Sequence, residues 1–296
     1  MFITITTLRS GLRKMIWSGI LIVFLVCVGL SAVILGCQGS MVYHPTREID
    51  ATPADVGLKY EDVYMQTSDG VKINGWFVPA SQTPKGTVLF FHGNAANMAC
   101  RVSTLQLFHT MGLNVFMIDY RGYGRSEGSV TEKGTYMDAE AAWDYLIKEK
   151  SISPESVVIF GRSLGGAVAV YLAQTHPQAA GLIVESGFTS VRDMAARILP
   201  GSQFFVYIHY DSIGRIGSIK TPVMIIHSPD DETIPYSMGE ELYKKAPQPK
   251  EFLRIHGPHN GGWQESMSIY GPAVEKFVSS LFARKNQQSS TARPGC

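Results

Sequence analysis

From Thr87 onward, short apolar runs alternate with helix-length amphipathic segments. The runs are "TVLFF" at 87–91, "NVFMID" at 114–119, "SVVIF" at 156–160, "GLIVE" at 181–185, "PVMIIH" at 222–227 and "EFLRI" at 251–255. Helical spacing falls between and after them, near 97–110, 132–148, 164–175, 237–245 and 264–281. Strands that are apolar throughout are covered on both faces, so this alternation predicts an α/β fold: a mostly parallel central sheet with crossover helices on both faces. Ahead of it, "YEDVYMQT" (60–67) and "VKINGWFVP" (71–79) flank Ser-Asp-Gly and predict an antiparallel hairpin with Gly70 in the strained turn position. Residues 186–221 are longer than a plain crossover requires and predict a small lid. The polar tail, 285–296, reads as disordered, which leaves 58–284 as the folded domain.

The N-terminus follows a different pattern. After Arg9, Arg13 and Lys14 comes "MIWSGILIVFLVCVGLSAVILGC", and no Lys, Arg, Asp or Glu stands again until Arg47. About 20 apolar residues cross a hydrocarbon core. The run therefore reads as a transmembrane anchor over 15–36, with a cytoplasmic basic segment at 1–14 and a linker at 37–57. Basic residues before the span send the remainder to the extracytoplasmic (periplasmic) face. "ILGC" at 34–37 supports a second reading, a lipoprotein signal in which Cys37 is lipidated. A buried core helix is the third, and the length of the run exceeds what it needs.

Charged residues form 17% of the chain and the net charge is +1, which leaves no electrostatic footprint for nucleic acid. The four cysteines, at 27, 37, 100 and 296, lack both C-x-x-C spacing and the density of a disulfide framework, and no Cys/His cluster has zinc-like spacing. No metal and no cofactor are expected, and Cys100 is expected to be buried.

One motif carries chemistry. "FGRSLGG" (160–166) places Gly161-x-Ser163-x-Gly165 directly after a strand and directly before the small-residue helix "LGGAVAVYLAQ". A strand that turns into a helix within one residue holds its central side chain in strained backbone angles at the carboxyl edge of the sheet, and needs small neighbours two positions away. Alone, such a serine is a polar residue in a tight turn. A serine hydroxyl becomes a nucleophile only beside a base oriented by an acid, and at an elbow of this kind the order along the chain is Ser, acid, His. "HSPDDETIP" follows one later strand and "HGPHNGG" the last. Asp231 is preferred over Asp230 as the acid because Asp-x-x-x-Pro ahead of a helix is the spacing such loops show; Glu185 is a third candidate. His259, in a bendable loop, is preferred over His256 as the base, and His227 reads as a packing residue. The oxyanion is assigned to the N–H groups of Leu164 and Asn94, with His92 as a brace. Asp119 and Arg121 of "DYRGYGRSEG" stand in the wrong chain order for a triad and read as loop scaffolding.

"FFHGNAAN", "DYRGYGRSEG", "FGRSLGGAVA", "ESGFTS", "DDETIP" and "GPHNGG" together resemble the α/β-hydrolase superfamily. More narrowly, they resemble its membrane-anchored bud-emergence-type branch, similar to the α/β-hydrolase-domain depalmitoylases and to prolyl-oligopeptidase catalytic domains. The resemblance covers about residues 58–282. It implies a serine hydrolase with Ser163 as nucleophile, Asp231 as acid and His259 as base, needing no cofactor and acting on esters or thioesters through an acyl-enzyme. Small-molecule or lipid-like acyl esters are then the expected substrates, and the membrane the expected partner. Arg162 departs from the branch, where an uncharged residue more often precedes the serine. A peptidase of prolyl-oligopeptidase type is the same-fold alternative, and a non-catalytic binding scaffold the alternative of another class.

Overall fold

In a computed structural model, the backbone is described for residues 3–291 and side chains for 13, 15–26, 29 and 36–283. The elements, in chain order, are helix α1 (Ile3–Val42); the hairpin strands β1 (Glu61–Gln66) and β2 (Lys72–Val78); β3 (Thr87–Phe91); α2 (Val102–Thr110); β4 (Asn114–Asp119); and α3 (Glu132–Asp144), continued by a π-helical turn at Tyr145–Glu149. Then come β5 (Val157–Arg162), α4 (Leu164–Thr175), β6 (Gly181–Glu185), α5 (Val191–Ile198), α6 (Ser212–Ile216), β7 (Val223–His227), α7 (Tyr236–Lys245), β8 (Lys250–Arg254), the single turn α8 (Gly262–Glu265) and α9 (Met267–Thr291).

The eight strands form one sheet in the order β8-β7-β6-β5-β3-β4-β2-β1. β3 to β8 are parallel, and β2 is antiparallel to both β4 and β1. Pleating sends alternate residues to opposite faces, and both faces are dry. Leu89, Phe91, Phe116, Ile118 and Ile159 pack with residues of α3, α4 and α7 on one side. Val88, Phe90, Val115, Met117, Val158 and Phe160 pack with residues of α2 and α9 on the other. Burying each such side chain contributes roughly 1.5–3 kcal/mol, which is why these strands are apolar throughout rather than alternating. The hairpin closes as its sequence suggests: Gly70 adopts φ 83°, and Thr67 N–H donates to Val71 O at 2.9 Å.

Three expectations change. Cys100 is exposed, because in the turn Met98–Arg101 the inward positions go to Met98 and Ala99. Part of the segment read as a linker is bound to the domain: His44–Pro45 pairs with Ala95–Ala96, and Tyr43 is buried with its hydroxyl donating to Tyr210 Oη at 3.0 Å. α9 runs on to Thr291, into the tail read as disordered, since extending an existing helix fixes only one residue per new bond; residues 292–296 lie outside those described. The expected span at 15–36 lies within α1, but part of it falls outside the described side chains. Among the described residues, no helix is long and apolar enough to cross a membrane.

Candidate active site

The parallel strands deliver their following loops to one edge of the sheet, the carboxyl edge. Ser163 follows β5, Asp231 follows β7, and His259 follows β8. Ser163 stands at φ 56° and ψ −122°, outside the regions open to most side chains, and its N–H donates to Glu185 O at 2.9 Å. A conformation of this kind costs on the order of 1–3 kcal/mol and persists only where its surroundings fix it. The flanking glycines explain how. A Cβ on Gly161 would stand 2.1 Å from Gly165 O, and one on Gly165 would stand 2.0 Å from Phe91 O. The elbow is thus pressed against both its own helix and β3.

The three side chains meet in a line. Ser163 Oγ donates to His259 Nε2 at 3.0 Å, and His259 Nδ1 donates to Asp231 Oδ2 at 2.7 Å. The Asp231 side chain is fully buried and that of His259 is 7% exposed, so the hydrogen bond between them is little screened by water. The other Asp231 oxygen is held by its own loop: Oδ1 accepts from the N–H of Thr233 (2.9 Å) and of Ile234 (2.7 Å). Burial pushes this carboxyl up, but hydrogen bonds from His227, His259 and the Ile234 N–H outweigh it and hold Asp231 well below the usual carboxylate range.

The competing residues have other partners. Asp230 is exposed, accepts from Gly257 N at 3.1 Å and lies 3.7 Å from His256 Nδ1, so it ties the β7 loop to the β8 loop. Glu185 is buried against Arg162, with Oε1 2.6 Å from Arg162 Nε, and accepts from the Tyr270 hydroxyl at 2.6 Å. Arg162 therefore points away from its neighbour Ser163, beneath Trp263 and Phe90 and toward Thr104. Burial pushes its guanidinium down; Glu185 and Tyr270 more than compensate and keep it charged. Asp119 and Arg121 serve the loop after β4. Arg121 pairs with Asp69 at 2.7 Å and Asp138 at 2.9 Å, and Asp119 stands 3.2 Å from His92.

Two contacts escaped sequence reasoning. His227 Nε2 lies 3.0 Å from Ile234 O and 3.4 Å from Asp231 Oδ2, so a strand-end histidine that reads as packing touches the buried acid. Glu232 Oε2 accepts from the His259 backbone N–H at 3.0 Å, fixing the histidine loop. The four-residue separation of His227 and Asp231 was the available signal for the first. A carboxylate on a backbone amide 27 residues away leaves none for the second.

The wall opposite His259 is the loop after β3. An added Cβ on Gly93 would lie 3.4 Å from Ser163 Cβ and 3.8 Å from its Oγ. Asn94, next along, is clamped: its side-chain amide donates to Val42 O (2.8 Å), and its carbonyl accepts from His44 N (2.9 Å) and from the Tyr123 hydroxyl (2.6 Å). None of these bonds uses its backbone N–H. Leu164 opens α4, and the first N–H groups of a helix have no partner within it. His92, fully buried, spans Gly93 O (2.7 Å) and Asp119 and so braces the loop.

Comparisons with known proteins identify the family. The family model described as "Serine aminopeptidase, S33" matches residues 82–209, a stretch that includes Ser163 and the 92–94 loop and stops before Asp231. Pyrococcus furiosus esterase Pf2001 superposes with a TM-score of 0.69 at 20% identity, covering 81% of this chain and 99% of that one, which is a likeness of fold. The α/β-hydrolase domain-containing protein WAV2 of Arabidopsis thaliana is 34% identical over 286 residues, 88% of this chain and 93% of that protein. Protein bem46 of Schizosaccharomyces pombe is 35% identical over 201 residues, 64% of this chain and 67% of its own. By that similarity the chain belongs to the α/β-hydrolase superfamily, in the branch that holds WAV2 and bem46.

Proposed function

We propose that this hydrolase-family chain is a serine hydrolase that cleaves carboxylic esters or thioesters through an acyl-enzyme. The observation that carries the reading is the continuous hydrogen-bonded line from Ser163 Oγ through the imidazole of His259 to the buried carboxylate of Asp231. As Ser163 Oγ attacks the acyl carbon, its proton passes to His259 Nε2. Asp231 keeps Nδ1 protonated and stabilises the imidazolium so formed. The N–H groups of Leu164 and Asn94 receive the oxyanion; the clamp on Asn94 and the helix start at Leu164 support their fixed orientation. Collapse expels the alcohol or thiol, which takes the proton from His259. Water then gives a proton to His259 and adds to the acyl carbon; as the bond to Ser163 Oγ breaks, the oxygen takes that proton back from His259 and the carboxylic acid leaves.

Hydrolysis of medium-chain p-nitrophenyl esters tests the reading. The wild type is expected to turn them over and Ser163→Ala to lose the activity; an undiminished Ser163→Ala would remove the assignment. The matched family's description favours a second reading, a peptidase, which turnover of aminoacyl-nitroanilides in place of esters would establish.

The apolar, uncharged run from Met15 to Gly36 supports a membrane anchor, with the basic residues before it supporting an extracytoplasmic domain. Lipidation at Cys37 is the alternative attachment. Triton X-114 partitioning separates them: a spanning anchor keeps Cys37→Ser in the detergent phase, whereas a lipid anchor sends it to the aqueous phase with its signal removed or leaves it as precursor.

A further inference from the structure

Large apolar side chains on the surface of the folded domain are not scattered at random. Beyond residues 15–26, every large hydrophobic side chain among the described residues that is more than half exposed belongs to Met41 or to the stretch 198–207 of the lid: Ile198, Leu199, Phe204, Phe205 and Tyr207. Ile198 is 80% exposed and Phe204 77%. No Asp, Glu, Lys or Arg stands between Arg197 and Asp211. Single exposed hydrophobics need no explanation, but a contiguous group marks an interaction surface.

Its position identifies the partner. This edge of the lid is fastened to the end of α1 by one side chain, Gln38, which is 6% exposed. Gln38 Nε2 donates to Phe205 O at 2.6 Å, and Gln38 Oε1 accepts from Tyr207 N at 3.0 Å. A helix rises 1.5 Å per residue, so Gln38 lies about 3 Å along the axis beyond residue 36, the outer end of the apolar run. Apolar elements at a membrane surface sit about 5–10 Å into the headgroup and acyl boundary. The lid edge is therefore at that depth whenever α1 spans. Arg192, exposed on α5, donates to Gln203 O at 3.2 Å and stands at the rim of the patch, where a phospholipid phosphate would lie.

We propose that the 198–207 edge of the lid is a second membrane contact, seated in the phospholipid surface of the bilayer that α1 crosses. The inference rests on the anchor reading above. It gives the exposed aromatics an occupant and turns a domain on a single helix into one held at two points, with its lid against the lipid.

The test is photolabelling of the full-length protein in phosphatidylcholine vesicles that contain a phosphatidylcholine with a diazirine on its acyl chain, followed by peptide mapping. Label is expected on peptides from 15–36 and from 198–207. Label confined to 15–36 would overturn the lid contact, hand the patch to a protein surface and leave the anchor standing. Label on 198–207 alone would overturn the anchor while upholding the lid's contact, and label on neither would overturn both. As a control for fold, Phe204→Ser with Phe205→Ser removes only exposed side chains. It is expected to lower lid labelling at least about tenfold with 15–36 labelling and p-nitrophenyl acetate hydrolysis unchanged. Lid labelling that survives the double substitution would contradict the proposal.

Discussion

Asp231 uses its two oxygens for different tasks: one is tied into its own loop by two backbone N–H groups, and the other accepts from His259 with His227 Nε2 3.4 Å away. Asp230, one residue earlier, faces solvent and Gly257. Asp231→Asn is therefore expected to lower kcat for ester hydrolysis by roughly 10³–10⁴ through loss of the correct imidazole tautomer. Asp230→Asn changes it by less than about tenfold, because only a loop contact is lost; steady-state kinetics of the two variants decides. The same carboxylate links stability to pH. Its folded value lies below the ordinary 3.8, so its contribution is present above that value and fades as pH falls toward the folded one. Thermal melts of wild type and Asp231→Asn should therefore differ by a constant amount down to about pH 4 and converge below it. Ser163, Asp231 and His259 could be chosen from the sequence because each follows an apolar strand in a short loop, and a parallel sheet sends all such loops to one edge. Glu232 could not be chosen, and His227 had only its four-residue separation from Asp231 to mark it, since their contacts depend on the path of a loop whose backbone angles the residue types leave open.

At the level of elements, β5 and β6 are pinned beside the elbow by a buried ion pair. Arg162 and Glu185 are register partners, and Tyr270 of α9 completes the cluster. Removing one partner from a buried pair strands a charge, which costs about 3–5 kcal/mol, whereas replacing the whole set by apolar residues is often neutral. Arg162→Met alone is expected to lower unfolding free energy by about that amount, and Arg162→Met with Glu185→Leu and Tyr270→Phe to recover most of it. Urea unfolding of the two proteins measures the difference, and equal losses would mean that the pair is a surface-like contact. From sequence, the charge beside the serine stood out only as a departure from the branch's pattern. Strand alternation carries Arg162 to the same side of β5 as Val158 and Phe160, into the layer under α9, while Ser163 lies beyond the strand in the elbow. The strands were legible from the apolar runs, with boundaries shifted by no more than two residues; the helices were located, but α2 starts five residues later than read and α9 ends ten residues later. The packing of Tyr43 and the pairing at His44–Pro45 were not legible, because a two-residue bridge has no periodicity to read.

For the whole molecule, the folded domain begins where α1 ends, and the same α1 end contacts both the segment at Phe205 and the loop carrying Asn94. The proposed attachment and the site are therefore adjacent. The proposed orientation predicts that exposed Cys100, in a Cys37→Ser background, reacts with a membrane-impermeant maleimide in intact spheroplasts, read by mass spectrometry of the Cys100 peptide. Reaction only after lysis would place the domain on the cytoplasmic side. The central claim is that Ser163 is activated by His259 and Asp231, and fluorophosphonate labelling of the purified protein tests it most directly. Stoichiometric labelling at Ser163 is expected, lost in Ser163→Ala and nearly lost in His259→Ala, sharply reduced in Asp231→Asn and retained in Asp230→Asn. A folded wild type that takes no label, or takes it equally in His259→Ala, would contradict the claim and leave the strained serine as only a turn between strand and helix.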